Sequence, residues 1–168
     1  MTGERDRGRG NHKVGREALF FFLRFLVTSV VLYIPYDRYV AVCYSRLVAF
    51  IAKPFLALFG CKMIMEQALR ITEDISLNPI VFLSLVIAVG KIPWRSKLRA
   101  GALGVGVLTI ANALTVFLAF MSEQRNSERL WTGTEFLYLT MSFFVPILLW
   151  LALLPIRRAF PFFGKDSE

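Results

Sequence analysis

The sequence predicts an all-α, polytopic integral membrane protein with four transmembrane helices and an interfacial amphipathic helix, on three observations. Hydrophobic residues make up 56% of the 168, mean hydropathy is +0.56 and 16 residues are Phe, more apolar surface than a soluble domain of this length can bury. The apolar residues run in blocks long enough to cross a bilayer core, which takes about 20 residues of helix. The cations gather at the edges of those blocks, with five Lys and Arg before Ala18, four in the 91–99 loop and three after Ile156. These divide the chain into a basic cytoplasmic arm (1–17), a transmembrane helical domain (18–156) and a cytoplasmic tail (157–168).

Residues 18–36, 100–121 and 136–156 meet the length requirement directly. The first run follows a basic arm, as a secretory signal would. Its apolar part is too long for one, however, and "IPYDRY" offers no small-x-small cleavage site, so it reads as an anchor. Arg24 lies one to two turns inside this run and can snorkel back to the headgroups. Residues 78–89, "NPIVFLSLVIAV", are shorter, but Ile92, Pro93 and Trp94 supply an interfacial end and the segment can cross with little tilt.

Residues 39–60 are apolar on average but carry Arg46 and Lys53. At 100° per residue, Arg38, Arg46 and Lys53 fall within roughly 80° of one another, a basic stripe on an apolar helix, which describes a helix lying in the interface. Pro54 is expected to break or kink it, with "FLALFG" as a second short piece dipping into the membrane.

Charge then sets the orientation. The 122–135 loop has two cations against Glu123, Glu128 and Glu135. With four spans the three basic flanks share one side, so the positive-inside rule places both termini in the cytoplasm, whereas a fifth span at 39–60 would break that parity. The loop "KIPWRSKLRAG", with Lys91, Arg95, Lys97 and Arg99, is therefore first a topology determinant. Contact with anionic lipid headgroups, about 1 kcal/mol per cation, accompanies it and makes membrane lipids an expected partner. The net charge of +8 does not signal nucleic acid, because the cations do not interleave with exposed aromatics on one face.

Chemistry-bearing patterns are sparse. His12, the sole histidine, sits in the polar arm, and Cys43 and Cys61 lack metal or disulfide-framework spacing and read as ordinary buried residues. "GALGVG" follows a basic loop instead of a strand and has no P-loop lysine, so no cofactor is read from it. Ala100, Gly104 and Ala111 instead form the small-residue spacing that lets helices approach closely. Asn112, with Thr109 and Thr115 a turn to either side, is a polar patch inside a span. It reads as an interhelical hydrogen bond worth about 0.6–2 kcal/mol, or alternatively as a surface that holds a ligand or partner helix. Asp37, Glu66, Glu73 and Asp74 lie outside the spans, where they solvate the segment between the first two, with Arg70 available for pairing.

The stretch "PIVFLSLVIAVGKIPWRSKLRAGALGVGVLTIANAL" resembles the central part of the exosortase and archaeosortase family of membrane-embedded cysteine transpeptidases and the small membrane proteins associated with them. The resemblance implies a Cys opening the span before the basic loop, an Arg shortly after the Asn of the next span, and a His or similar residue at the start of the last. Here those neighbourhoods read "SLNP" around Asn78, "NALT" ending at Thr115, and "TGTEFLY" ending at Tyr138. All three catalytic residue types are missing, and thiol chemistry needs a nucleophile, a base and a charge stabiliser.

The leading expectation is thus a non-enzymatic accessory or scaffold subunit of a bacterial-type inner membrane, packed against another integral membrane protein. A degenerate exosortase-like transpeptidase using Cys61 is one alternative, and a lipid- or small-molecule-handling protein with Asn112 in its cavity is another. A flat aromatic outer face would favour the first, a Cys61–Arg contact in a cleft the second, and a cavity lined by Thr109 and Asn112 the third.

Overall fold

The computed structural model describes residues 4–90 and 92–154, with side chains from residue 15 onward apart from Asp74 and Phe143. Lys91, Ile156 and the 157–168 tail lie outside the described residues. Among those described, every regular element is a helix: α1 (Glu4–Pro35), a π-helical turn (Tyr36–Val40), α2 (Ala41–Leu58), α3 (Met65–Ile75), α4 (Asn78–Ala88), α5 (Trp94–Gln124) and α6 (Glu128–Leu153). Three helical stretches are long and apolar enough to cross a membrane, or four when the two halves of the bent α6 are taken as one.

The first apolar run does not end at Tyr36. Residues 15–58 form one 44-residue helical stretch, in which the π turn widens the helix and the Ala41 N–H bonds to the Tyr36 carbonyl. The packed face changes there. In α1, Phe21, Phe25, Thr28 and Leu32 form a half-buried stripe that Tyr36 continues into the π turn, and α1 packs on α4. In α2 the buried stripe is Tyr44, Val48, Ala52 and Leu56, packed on α5 and α3. Continued at 100° per residue, the α1 stripe would point Cys43 and Arg46 inward; after the turn both are exposed. Cys43 is therefore not the buried residue expected from its surroundings. The helix also runs through Pro54 instead of breaking, although a mid-helix proline costs about 3 kcal/mol. Ala52 and Leu56, fully buried on either side of it, hold α2 to its neighbours.

After the turn at Gly60, where φ is +72°, the chain returns through α3 and α4, which are separated only by Ser76 and Leu77. Together they make a 24-residue stretch, Met65–Ala88, long and apolar enough to cross a membrane, so the short apolar run expected at 78–89 is extended by α3, and Glu66, Glu73 and Asp74, expected outside the spans, lie within this stretch. α4 is apolar nearly all round and central, packed by α1, α5 and α6. α5 then runs antiparallel to α4, and α6 returns along both. Two apolar clusters result. One joins α2, α3 and α5 around Val48, Leu56, Ala68, Val116 and Phe120. The other joins α4, α5 and the end of α6 around Phe82, Val86, Leu108 and Leu154.

The last run, expected as a span over 136–156, starts earlier and is bent: Glu128–Ser142 and Phe144–Leu153 meet at 49°. Pro146 explains the bend. It has no N–H for the Ser142 carbonyl four residues back, and its ring crowds that carbonyl.

Candidate functional site

The N-terminal half of α6 lies along α5 but barely touches α3, and the space between the three helices is a cavity of about 970 Å3. Its walls are mixed. Ile71, Ala119 and Leu139 are apolar, Trp131 and Tyr138 are aromatic, and Gln67, Thr115, Ser122, Asn126, Ser127 and Thr134 carry neutral polar groups. Its charged lining residues are Glu123, Glu128 and Glu135, with no Lys or Arg among them, in a chain of net charge +8.

Local hydrogen bonds shape these walls. Gln67 on α3 donates to the Glu123 carboxylate on α5, and the Trp131 indole donates to Glu135 at 2.9 Å, one helical turn on. Ser127 caps α6, accepting from the Leu130 N–H, and Glu128 in the first turn faces the positive end of the helix dipole. Asn126 takes φ of +48°, the left-handed conformation Asn tolerates, and so turns the chain sharply from α5 into α6. At the adjacent edge, Gln124 and Lys62 exchange hydrogen bonds that tie the 59–64 turn to the end of α5. Among the described residues no three His, Cys, Asp or Glu side chains converge as metal ligands, so the carboxylates line a volume without forming a metal cage.

The polar patch on α5 lies at and just beyond the floor of this cavity. Thr115 lines it, fully buried, with its hydroxyl bonded to the Ala111 carbonyl at 3.1 Å. Asn112 lies one turn deeper and does not line the cavity. Its Nδ2 donates to the Tyr44 hydroxyl at 2.8 Å and toward the Ile75 carbonyl at 3.4 Å, while Oδ1 has no hydrogen-bond partner. Thr109 is also buried and bonds back to the Val105 carbonyl at 2.7 Å. The patch thus divides, with Asn112 and Thr109 in the α2–α5 contact and Thr115 facing the cavity.

The other residues singled out in the sequence are placed as follows. Ala100 and Gly104 are buried and Ala111 half-buried. A Cβ at Gly104 would fall 2.1 Å from the Phe82 ring. Arg38, Arg46 and Lys53 are exposed, as are Arg95 and Arg99, while Lys97 is half-buried and donates to the Ile87 carbonyl at 2.9 Å. Cys61 lies with its Sγ 3.2 Å from the Met121 thioether and 3.8 Å from the Phe59 carbonyl. Arg70 pairs with Glu66 at 3.0 Å on the surface of α3. Sequence reasoning missed Gln67, Trp131, Thr134 and Glu135 as neighbours in one cavity. The signal available was the run of Glu123, Glu128 and Glu135, which reads from sequence only as charge balance in a loop. No family model, curated protein or solved structure matches this chain.

Proposed function

We propose that this chain is a membrane-embedded binding protein that holds an amphiphile in the cavity between α3, α5 and α6. One observation carries the reading: a volume of about 970 Å3 whose walls combine apolar, aromatic and hydrogen-bonding groups, the composition of a ligand site. Because its charged groups are all carboxylates, the ligand's head group carries donors, hydroxyl or amino, while its apolar part meets Ile71, Ala119 and Leu139.

The position along the helices supports the same reading. At the helical rise, Thr115 lies about 27 Å and Glu123 about 39 Å along α5 from Lys97, against an apolar core of about 30 Å. With Lys97 at one headgroup level, the cavity opens at the other. The α1–α2 stretch, about 66 Å long by the same rise, exceeds the core, and Arg46 and Lys53, about 33 and 44 Å along it from Arg24, belong to the headgroup zone on the cavity side. The positive-inside rule makes the basic end cytoplasmic in a bacterial-type inner membrane. Arg24 beside Gly90, and Phe21 against Trp150 with ring centroids 5.7 Å apart, bring the first helix, the residues just after α4 and the end of α6 to that one end.

The other two readings rank below this one. An accessory role beside a second membrane protein rests on exposed apolar side chains, which lipid alone would cover. An exosortase-like transpeptidase would need a base for Cys61, whose described neighbours are a thioether and a carbonyl.

The test is native mass spectrometry of protein extracted in mild detergent, comparing the parent chain with Ala119→Phe, which fills the cavity. The parent is expected to retain a donor-bearing amphiphile that the equally folded variant loses. Equal retention by both would overturn the proposal, and a stoichiometric protein partner with no amphiphile would return the accessory reading.

A further inference from the structure

At the opposite end of the bundle, α4 and α5 leave a second and smaller groove of about 380 Å3. Leu83, Val86, Leu98 and Val105 make it almost wholly apolar, and Trp94 and Lys97 stand at its basic end. Gly101 keeps it open, since a Cβ there would lie 3.3 Å from Leu83 Cδ2.

Two cations from different helices meet above this groove. Lys97 reaches from α5 to the carboxyl end of α4 and donates to the Ile87 carbonyl, one of the last four that a helix leaves unpaired. The Arg24 guanidinium reaches from α1 to the same place, 3.2 Å from where a Cβ on Gly90 would lie, close enough for the two charges to repel. Among the described residues no carboxylate pairs with either; the ion pair of Arg70 and Glu66 is on α3. The negative end of the α4 dipole offsets part of this charge, but it supplies less than one unit of negative charge for two cations.

We propose that this place is a binding site for one anionic phospholipid, its phosphate held between Arg24 and Lys97, its glycerol region beside Trp94 and one acyl chain in the α4–α5 groove. Charge complementarity selects the occupant. A zwitterionic lipid would bring a third cation to a place that already holds two, and a soluble anion would leave the groove empty. The site is independent of the α3–α5–α6 cavity and lies at the other end of the helices. It also differs from the diffuse attraction of a basic loop, because Arg24 is not in that loop and the exposed Arg95 and Arg99 are not part of the clamp.

Native mass spectrometry with phosphatidylglycerol and phosphatidylcholine of identical chains, added to delipidated protein in detergent, tests it. The parent chain is expected to retain phosphatidylglycerol preferentially. Arg24→Gln alone, and with Lys97→Gln, should reduce that preference about fivefold per cation, whereas Arg95→Gln with Arg99→Gln, which removes the same charge, should leave it unchanged. Gly101→Leu should weaken retention of the lipid with both cations in place. Equal retention of the two lipids by the parent, or equal loss from the two double variants, would overturn the site. Because Arg24 is exposed on α1, its single variant tests the phosphate contact without uncapping α4.

Discussion

Asn112 on α5 donates its amide N–H to the Tyr44 hydroxyl on α2 at 2.8 Å, joining two buried side chains 68 residues apart in the chain. The bond belongs to the contact between the long first helix and the central bundle, and it leaves Asn112 Oδ1 without a partner. Asn112→Leu removes the bond together with that desolvated acceptor, so the net cost is expected at about 1 kcal/mol or less. A double-mutant cycle with Tyr44→Phe, read by unfolding in detergent, should give a coupling of about 0.6–2 kcal/mol. Loss of the cavity ligand at unchanged stability would instead make Asn112 part of the binding site.

Gly104 and Phe82 predict a packing defect of known direction. A methyl group on Gly104 would overlap the fully buried Phe82 ring at 2.1 Å, so Gly104→Ala should destabilise the protein by about 1–3 kcal/mol. Phe82→Leu in the same chain should recover part of this. Gly106→Ala is the control: nothing lies within 4 Å of its Cβ position, and the better helix former should be neutral or gain about 0.5–1 kcal/mol. Equal effects of the two alanines in thermal unfolding would contradict the close α4–α5 approach.

The bend in α6 is assigned to Pro146, and the cavity depends on where the half of α6 before that bend lies. Pro146→Ala restores an N–H for the Ser142 carbonyl and should straighten the helix. Spin labels at Arg70 on α3 and Thr132 on α6, in a background without Cys43 and Cys61, should then report a shifted distance distribution, accompanied by weaker retention of the amphiphile. An unchanged distribution would assign the bend to packing instead of to the missing hydrogen bond.

Orientation can be read with single cysteines in the same background. An impermeant thiol reagent added to intact cells should label Arg125→Cys, beside the cavity, and should not label Ser96→Cys in the basic loop. Labelling of Ser96→Cys from outside would overturn the four-pass arrangement with cytoplasmic termini.

The sequence by itself determined the class of the molecule: an all-α chain with apolar helices long enough to cross a bilayer. Each apolar run is a local property that demands internal backbone pairing and hence a helix, whatever packs against it. What packs where was decided only by the tertiary structure. Pro54 and Pro146 carry the same local signal, yet the α2 helix continues through one, with Ala52 and Leu56 fully buried on either side of it, while α6 bends at the other. The change of packed face at the π turn was equally hidden, because hydropathy does not say which neighbour a helix meets; it left Cys43 exposed and turned Tyr44 toward Asn112. The cavity was the least legible feature. Gln67, Thr115 and Glu135 are far apart in the chain and come together only when α3, α5 and α6 meet.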